Sequence, residues 1–108
     1  MTGETNLSRL LASLSPRLNP GRFVFCSVPQ PTVVQVAAAL GSFREAEGTT
    51  LILAREEAER LGLAYDYLAA WITLEVHSSL AAVGLTAAFA KALAGEGISC
   101  NVIAGFHH

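Results

Sequence analysis

The chain has 108 residues, of which 52% are hydrophobic and 15% are charged, and its formal net charge at pH 7 is −2. This length gives one domain or two small lobes that share a core, and the apolar content argues against disorder. The charge balance, without a basic patch, gives no reason to expect a nucleic-acid partner. No apolar run is long enough to span a bilayer, and the N-terminal segment lacks the pattern of a secretory signal.

The first third of the chain predicts a helix, a strand and one ambiguous segment. Leucines at helical spacing predict a short amphipathic helix over residues 7–14, which Pro16 ends because proline cannot continue a helix. Residues 22–28 predict a strand with apolar side chains on both faces, so we expect it to be covered on both sides. In residues 32–40, VVQV favours a strand and AAAL favours a helix, and we favour a helix or an irregular crossing.

The middle of the chain predicts a hairpin followed by a helix. Residues 43–48 predict a short strand and turn that lead into a clear strand over residues 49–54. Residues 55–61 predict a helix that Gly62 ends. The boundary between two halves is expected near residues 62–70, which divides the chain into lobes 1–64 and 65–108. No low-complexity linker separates these lobes, so we expect them to pack together.

The last third predicts a strand, a glycine-containing loop, a helix and a second strand. Apolar and polar residues alternate over residues 72–77, and again over residues 98–103. Between them, Leu85, Phe89 and Leu93 recur at a spacing of four, as on one face of a helix. This order predicts the first half of a split β-α-β unit of the ferredoxin-like kind.

Three segments of the sequence, FREAEGTTLIL, LEVHSSLAAVGLTAA and GISCNVIAG, resemble a family of small bacterial stand-alone proteins with tandem ACT-like domains. The resemblance implies an α+β, ferredoxin-like fold in two small lobes that share a sheet or core. It also implies a regulatory module that binds an amino acid or a related metabolite without catalysing a reaction. A cytoplasmic homodimer is the form expected from it.

The C-terminal lobe departs from the family pattern in one respect: it is expected to lack part of the sheet. In the family, the chain continues past the paired histidines into a strand, a helix and a last strand, and one later strand lies between the first two. We favour a natural chain that is longer than the present sequence, with pairing to a second copy as the next choice. The remaining alternative is that a strand from residues 22–54 takes the position between the first two strands of this lobe. If that position were empty, the two strands beside it would expose unpaired backbone groups.

The loop between residues 77 and 84 is the predicted ligand site. It leads into a helix N-terminus, where free backbone amides and the helix dipole favour an anion such as an amino-acid carboxylate. The two serines of this loop have a competing interpretation, in which they only cap the helix and form the turn and do not contact a ligand. By resemblance to ACT domains, the strand around Asn101 meets the amino group of the ligand. The predicted ligand-binding residues are His77, Ser78, Ser79, Val83, Gly84, Leu85, Cys100, Asn101 and Val102.

Catalytic, metal and cofactor sites are not expected. His77, His107 and His108, with Asp66 or Glu75, are the nearest approach to a metal site, but adjacent histidines in a strand point to opposite faces. Buried thiols are favoured over a disulfide for the two cysteines. The sequence contains no nucleophile elbow, P-loop or dinucleotide-binding motif. The main alternative function is an oligomerisation or protein-interaction module without a ligand, and a weaker one is an enzyme with a metal at the histidines.

Overall fold

The computed structural model describes residues 15–75 and 83–108, so the predicted helix over residues 7–14 lies outside the described part. Contacts divide the chain into two compact units, a sheet unit (Leu18–Ile72) and a helix unit (Met1–Arg17 with Thr73–His108). The predicted lobes 1–64 and 65–108 stay a prediction. The elements are β1 Pro16–Leu18, β2 Phe23–Val28, α1 Val33–Ala38, β3 Gly41–Glu45, β4 Gly48–Ala54, α2 Arg55–Arg60, β5 Leu68–Ala69, β6 Ile72–Leu74 and α3 Leu85–Gly95.

The sheet unit contains one complete ferredoxin-like arrangement. Its elements follow as β2, α1, β3, β4, α2 and β5, which is the β-α-β-β-α-β order. The four strands lie in the order β3-β4-β2-β5, and every neighbouring pair is antiparallel. Each helix therefore links two strands that are separated in the sheet by a third. The α+β, ferredoxin-like fold class is confirmed.

The core of the sheet unit lies on the face of the sheet that α2 covers. The register pairs Val24 with Leu53 and Cys26 with Leu51, and all four side chains are buried. Ala58 of α2 completes this cluster, and Ala39 at the end of α1 packs against it. Each large apolar side chain buried in this way stabilises the fold by about 1.5–3 kcal/mol.

Aromatic rings cover the opposite face of β2. The Phe23 ring lies 5.3 Å from the Trp71 ring in an edge-to-face contact, and the Phe25 ring lies 6.2 Å from the Tyr67 ring. Edge-to-face and tilted pairs at such distances are favourable because the ring edge is positive and the ring face negative. The prediction that both faces of β2 are covered is confirmed.

The predicted hairpin is present, and its turn depends on Gly48. Glu45 pairs with Gly48 around a two-residue turn formed by Ala46 and Glu47. In the described residues only glycines have positive φ, so this turn is not the common hairpin type that needs positive φ at both central positions. Gly48 instead carries the unusual conformation, with φ of 152°.

A capping box at its N-terminus determines where α1 begins. The Thr32 hydroxyl accepts a hydrogen bond of 3.1 Å from the Gln35 amide, and the Gln35 side chain accepts one of 2.9 Å from the Thr32 amide. Two backbone donors at the start of the helix are thereby satisfied. This reciprocal pair explains why residues 33–38 form a helix although three of them are valines, which have lower helix propensity than alanine.

We expect Thr32→Ala to lower the free energy of unfolding by about 1 kcal/mol, because it removes the acceptor for the Gln35 amide. Urea denaturation of the full chain measures the change. Thr32→Ser retains a hydroxyl at the same position and is the matched control, with an expected change of only a few tenths of a kcal/mol. Equal losses in the two variants would mean that the hydroxyl does not cap α1.

Strands β1 and β6 form a separate two-stranded sheet. The Asn19 amide donates to the Trp71 carbonyl at 2.9 Å, and the Glu75 amide donates to the Ser15 carbonyl at 2.8 Å. The reversed order of these partners shows that the strands are antiparallel. The predicted strand over residues 72–77 is therefore present as far as the described residues reach.

One expectation and one alternative for the last third of the chain are wrong. Helix α3 follows its prediction, but residues 98–103 form no strand. Alternation defines two faces, yet a strand also needs a neighbour to supply its hydrogen bonds, and in residues 15–75 and 83–108 none lies beside this segment. Nor does a strand from residues 22–54 fill the slot beside β6, because β2, β3 and β4 all belong to the four-stranded sheet.

Candidate functional site

The predicted ligand loop ends at the start of α3, the longest helix in the described part of the chain. Gly84 occupies the N-cap position with φ of 94°, a left-handed conformation that favours glycine. Val83 before it is 82% exposed, and Leu85 is the first, half-buried residue of the helix. His77, Ser78 and Ser79 lie outside the described residues.

The start of α3 differs chemically from the start of α1. At α1 the Thr32 hydroxyl accepts a hydrogen bond from the Gln35 amide in the first turn. At α3, Gly84 has no side chain that could do the same. The first amides of a helix have no acceptor within it, and the helix dipole makes this end partially positive. Among the described residues, the N-cap of α3 therefore provides no side-chain acceptor for the first amides of the helix.

The second group of predicted ligand residues follows the C-terminal end of α3. The Ile98 amide donates to the Leu93 carbonyl at 3.0 Å, and Gly97 has φ of 72°, so the chain turns sharply after the helix. Cys100 is half-buried, Asn101 is exposed and Val102 is 47% exposed. These three residues lie in a segment without regular structure.

The two predicted groups belong to the same unit, but the described residues show no bond between them. Helix α3 separates them along the chain, with an axial rise of about 16 Å for its 11 residues. Among residues 83–108, no hydrogen bond joins Gly84 or Leu85 to the segment 100–102. The sequence thus predicted two regions that contact a ligand. That they form one pocket together stays a prediction.

An open depression in the sheet unit was not predicted. It lies between the loop that follows β2 and the β3–β4 hairpin, and it is lined by Pro29, Gln30, Arg44, Glu45, Ala46, Glu47, Gly48 and Thr49. Its lining combines one guanidinium group with two carboxylates. All three charged side chains are exposed, and the Glu45 carboxylate accepts a hydrogen bond from the Thr50 hydroxyl.

The depression occupies the same topological position in the sheet unit as the predicted loop does before α3. In both places a loop follows a strand and leads into a helix. Sequence signals for the first loop were present, because Pro29 and Pro31 end β2 and the T-x-x-Q pattern from Thr32 to Gln35 marks a capping box. The contribution of the hairpin was not visible locally, since it depends on sheet pairing between distant residues.

The aromatic residues before β6 make their contacts within the sheet unit. Trp71 and Tyr67 contact Phe23 and Phe25 on the sheet, as described above. The Tyr65 hydroxyl donates a hydrogen bond of 2.7 Å to Glu59, and this bond to a carboxylate raises the pKa of Tyr65. The ring contacts of Trp71 and Tyr67 are packing contacts within the sheet unit.

Titratable groups in the described residues do not form a metal centre. No group of three His, Cys, Asp or Glu side chains in residues 15–75 and 83–108 is close enough together to hold an ion. The Phe106 and His107 rings are 4.9 Å apart, and the His107 and His108 rings are 6.4 Å apart.

Both cysteines are free thiols, and burial raises the pKa of Cys26, which keeps that thiol protonated and unreactive at neutral pH. No helix in the described part is long and apolar enough to cross a bilayer.

Comparison with known proteins identifies a family, and it finds similar solved structures, one of which is described below. The sequence profile of the ACT domain matches residues 2–70. A crystal structure from Vibrio cholerae, of a protein of unknown function described as a possible transport protein, is 50% identical in sequence. The similarity covers 94% of the present chain and 79% of that protein, with a TM-score of 0.83. No protein with a curated description matches the chain.

The extent of the family match agrees with the fold of the sheet unit. Residues 2–70 include every element from β2 to β5, which form the complete β-α-β-β-α-β arrangement. They also include the depression beside the hairpin. Helix α3 and the predicted ligand residues around it lie beyond the segment that the family profile matches.

Proposed function

Because the chain belongs to the ACT domain family, whose members are generally regulatory modules that bind ligands, we propose that it is a non-catalytic metabolite sensor. An amino acid is the proposed ligand class. The observation that carries this proposal is the complete ACT-type sheet unit over residues 23–69, with strand order β3-β4-β2-β5. A partner protein or enzyme is the expected target of the regulation.

We place the ligand carboxylate at the start of α3. This position is supported by the glycine at the N-cap, which has no side chain that could accept from the first-turn amides. The amino group is assigned to Asn101 and to the backbone around Cys100. The proposed ligand-binding residues are those predicted from sequence: His77, Ser78, Ser79, Val83, Gly84, Leu85, Cys100, Asn101 and Val102.

A second position for the same ligand class is the depression beside the β3–β4 hairpin. Its charges suit a zwitterion, because a carboxylate pairs with the Arg44 guanidinium and an ammonium group with the Glu47 carboxylate. Both charged side chains are exposed, so each ion pair contributes at most about 1 kcal/mol. Weak pairing at an open surface makes this the less favoured position.

The proposed molecular form is a cytoplasmic homodimer. Each chain in it is proposed to have two ACT-like lobes, 1–64 and 65–108. Free thiols support a reducing compartment, since both cysteines are unpaired. Symmetric dimers are the commonest assembly of small soluble proteins. The partners proposed are therefore a small metabolite and a second copy of the chain.

A thermal-shift screen of the full chain against the proteinogenic amino acids tests the proposal. At a concentration of one hundred times the dissociation constant, the true ligand should add about 2.7 kcal/mol to the free energy of unfolding. Asn101→Ala should weaken this response, whereas Arg44→Ala should leave it unchanged if the ligand lies at α3. The reverse result would assign the ligand to the depression, and no response to any amino acid would contradict the proposal.

A further inference from the structure

The face of the four-stranded sheet opposite to the core carries aromatic side chains. Phe23 and Phe25 alternate along β2 with Val24 and Cys26, whose buried side chains belong to the core. Successive side chains of a strand point to opposite faces, so both phenylalanines lie on the second face. The first face holds the core together with Ala58 of α2. We call the second face the aromatic face.

Strands β3 and β4 extend the aromatic face on the other side of β2. The register pairs Phe43 with Thr50 and Thr50 with Ser27, and this row lies next to the buried pair of Cys26 and Leu51. The three side chains of the row therefore point away from the core. The Phe43 ring is 70% exposed, so it is accessible to a ligand from solvent.

A hydrogen bond places the carboxylate of Glu45 on the aromatic face. Glu45 follows Phe43 by two residues in β3, so the two side chains share a face. Glu45 pairs with Gly48, which has no side chain, and its carboxylate accepts a hydrogen bond from the Thr50 hydroxyl in the neighbouring strand. The carboxylate is thus held above β4 while the residue remains exposed.

Aromatic rings lie on both sides of β4. Phe25 in β2 pairs with Ile52, and its ring lies 6.2 Å from the ring of Tyr67, which is 42% exposed. Two strand spacings and an offset of two residues separate Phe25 from Phe43, which places their Cα atoms roughly 12 Å apart. A small group above Thr50 can therefore lie between the two phenylalanines and contact both.

The charges on the aromatic face favour a cation. The face of an aromatic ring is negative and attracts a cation within about 6 Å of the ring centre. Glu45 adds a full negative charge beside these rings. Arg44 lies between Phe43 and Glu45 in β3, so its guanidinium group points to the opposite face of the sheet. A cation with apolar groups matches both the rings and the carboxylate.

We infer that the aromatic face binds a small soluble organic cation of the quaternary ammonium class, of which choline is the simplest probe. Its methyl groups contact the rings of Phe43 and Phe25, and its charge lies beside the Glu45 carboxylate. This site shares no residue with the metabolite site proposed at α3, so either can exist without the other. Because the carboxylate and the Phe43 ring are exposed, the expected dissociation constant is in the millimolar range.

An NMR titration of the isotope-labelled full chain with choline tests this site. We expect saturable shifts of the backbone amides of Phe43, Glu45 and Thr50. The neutral isostere of choline, in which a carbon atom replaces the nitrogen, has the same shape without the charge and should bind at least about fivefold more weakly. Absence of saturable shifts with choline, or equal affinity for the isostere, would overturn the inference. Co-sedimentation of the chain with phosphatidylcholine vesicles, without a response to free choline, would overturn the assignment to a soluble cation.

Two glutamine variants separate the site from the net charge of the chain. Glu45→Gln retains an oxygen that can accept from the Thr50 hydroxyl, and it should weaken choline binding about fivefold. Glu47→Gln removes the same charge from the hairpin turn and should change the affinity less than about twofold. Phe43→Leu should weaken binding about two- to fivefold, because it removes one ring. Equal effects of the two glutamine variants would contradict a site at Glu45.

Discussion

Leu51→Ala is expected to lower the free energy of unfolding by about 3 kcal/mol, the largest effect of any single substitution considered for this chain. Leu51 lies in the central strand β4, is fully buried, and pairs with the buried Cys26. Truncation removes apolar contacts and leaves a cavity that the surrounding strands can fill only in part. The described core of the sheet unit has only five buried apolar residues, so few neighbours are available to compensate.

Urea denaturation of the full chain, followed by circular dichroism, measures this loss. Leu18→Ala is the matched control, because Leu18 belongs to the same unit but is 67% exposed. Its expected cost is below about 1 kcal/mol, since little apolar area leaves water at this position. If the two leucine variants lost equal stability, the assignment of the core to the face that carries Leu51 would be wrong.

Gly48→Ala is expected to cost about 1–3 kcal/mol, for two reasons that act together. Gly48 has φ of 152°, a conformation that residues with a side chain rarely adopt. A Cβ atom at this position would also lie 3.2 Å from the Ser27 hydroxyl oxygen and 3.2 Å from the Val28 carbonyl oxygen. The hydroxyl can rotate away, but the carbonyl belongs to β2 and can shift only with its strand.

Gly41→Ala provides the control within the same hairpin. Gly41 begins β3 with a φ outside the positive range, and a Cβ atom there would meet no atom within 4 Å. Alanine at such a site changes stability by less than about 1 kcal/mol, and it can stabilise by restricting the unfolded chain. Comparable destabilisation by both substitutions in urea would show that the hairpin does not depend on the conformation of Gly48.

Local patterns predicted the elements whose stability is local. The β3–β4 hairpin follows from an alternating strand and a glycine at the turn, and α2 and α3 follow from periodicity and glycine stops. The ambiguity over residues 32–40 is explained by the capping box, which favours a helix where valines alone favour a strand. In each of these elements the deciding residues are neighbours in sequence.

Features that depend on distant partners were not predictable in the same way. Strands β1 and β5 have three and two residues, too few for any alternation, and they exist because β6 and β2 pair with them. Residues 98–103 have the alternation but lack a neighbouring strand in the described part of the chain. The depression beside Arg44 likewise depends on sheet pairing that places the hairpin next to Pro29.

The candidate ligand site was predictable only in its parts. A glycine before an apolar helix pattern indicated a helix start near Gly84, and the structure shows that residue as the N-cap with a positive φ. For Asn101 to contact the same ligand as this helix start, the chain after α3 must return along the helix. Sequence spacing does not determine that return, because Gly97 permits several directions after the helix ends.

Metabolite binding is tested most directly by an NMR titration of the isotope-labelled full chain with each proteinogenic amino acid. We predict saturable shifts of the backbone amides of Gly84, Leu85 and Asn101 with one amino acid or a few related ones. The amides of Gly48 and Thr49 should not respond unless the ligand occupies the depression beside the hairpin. Spectra that show no saturable shift with any amino acid would contradict the proposed function.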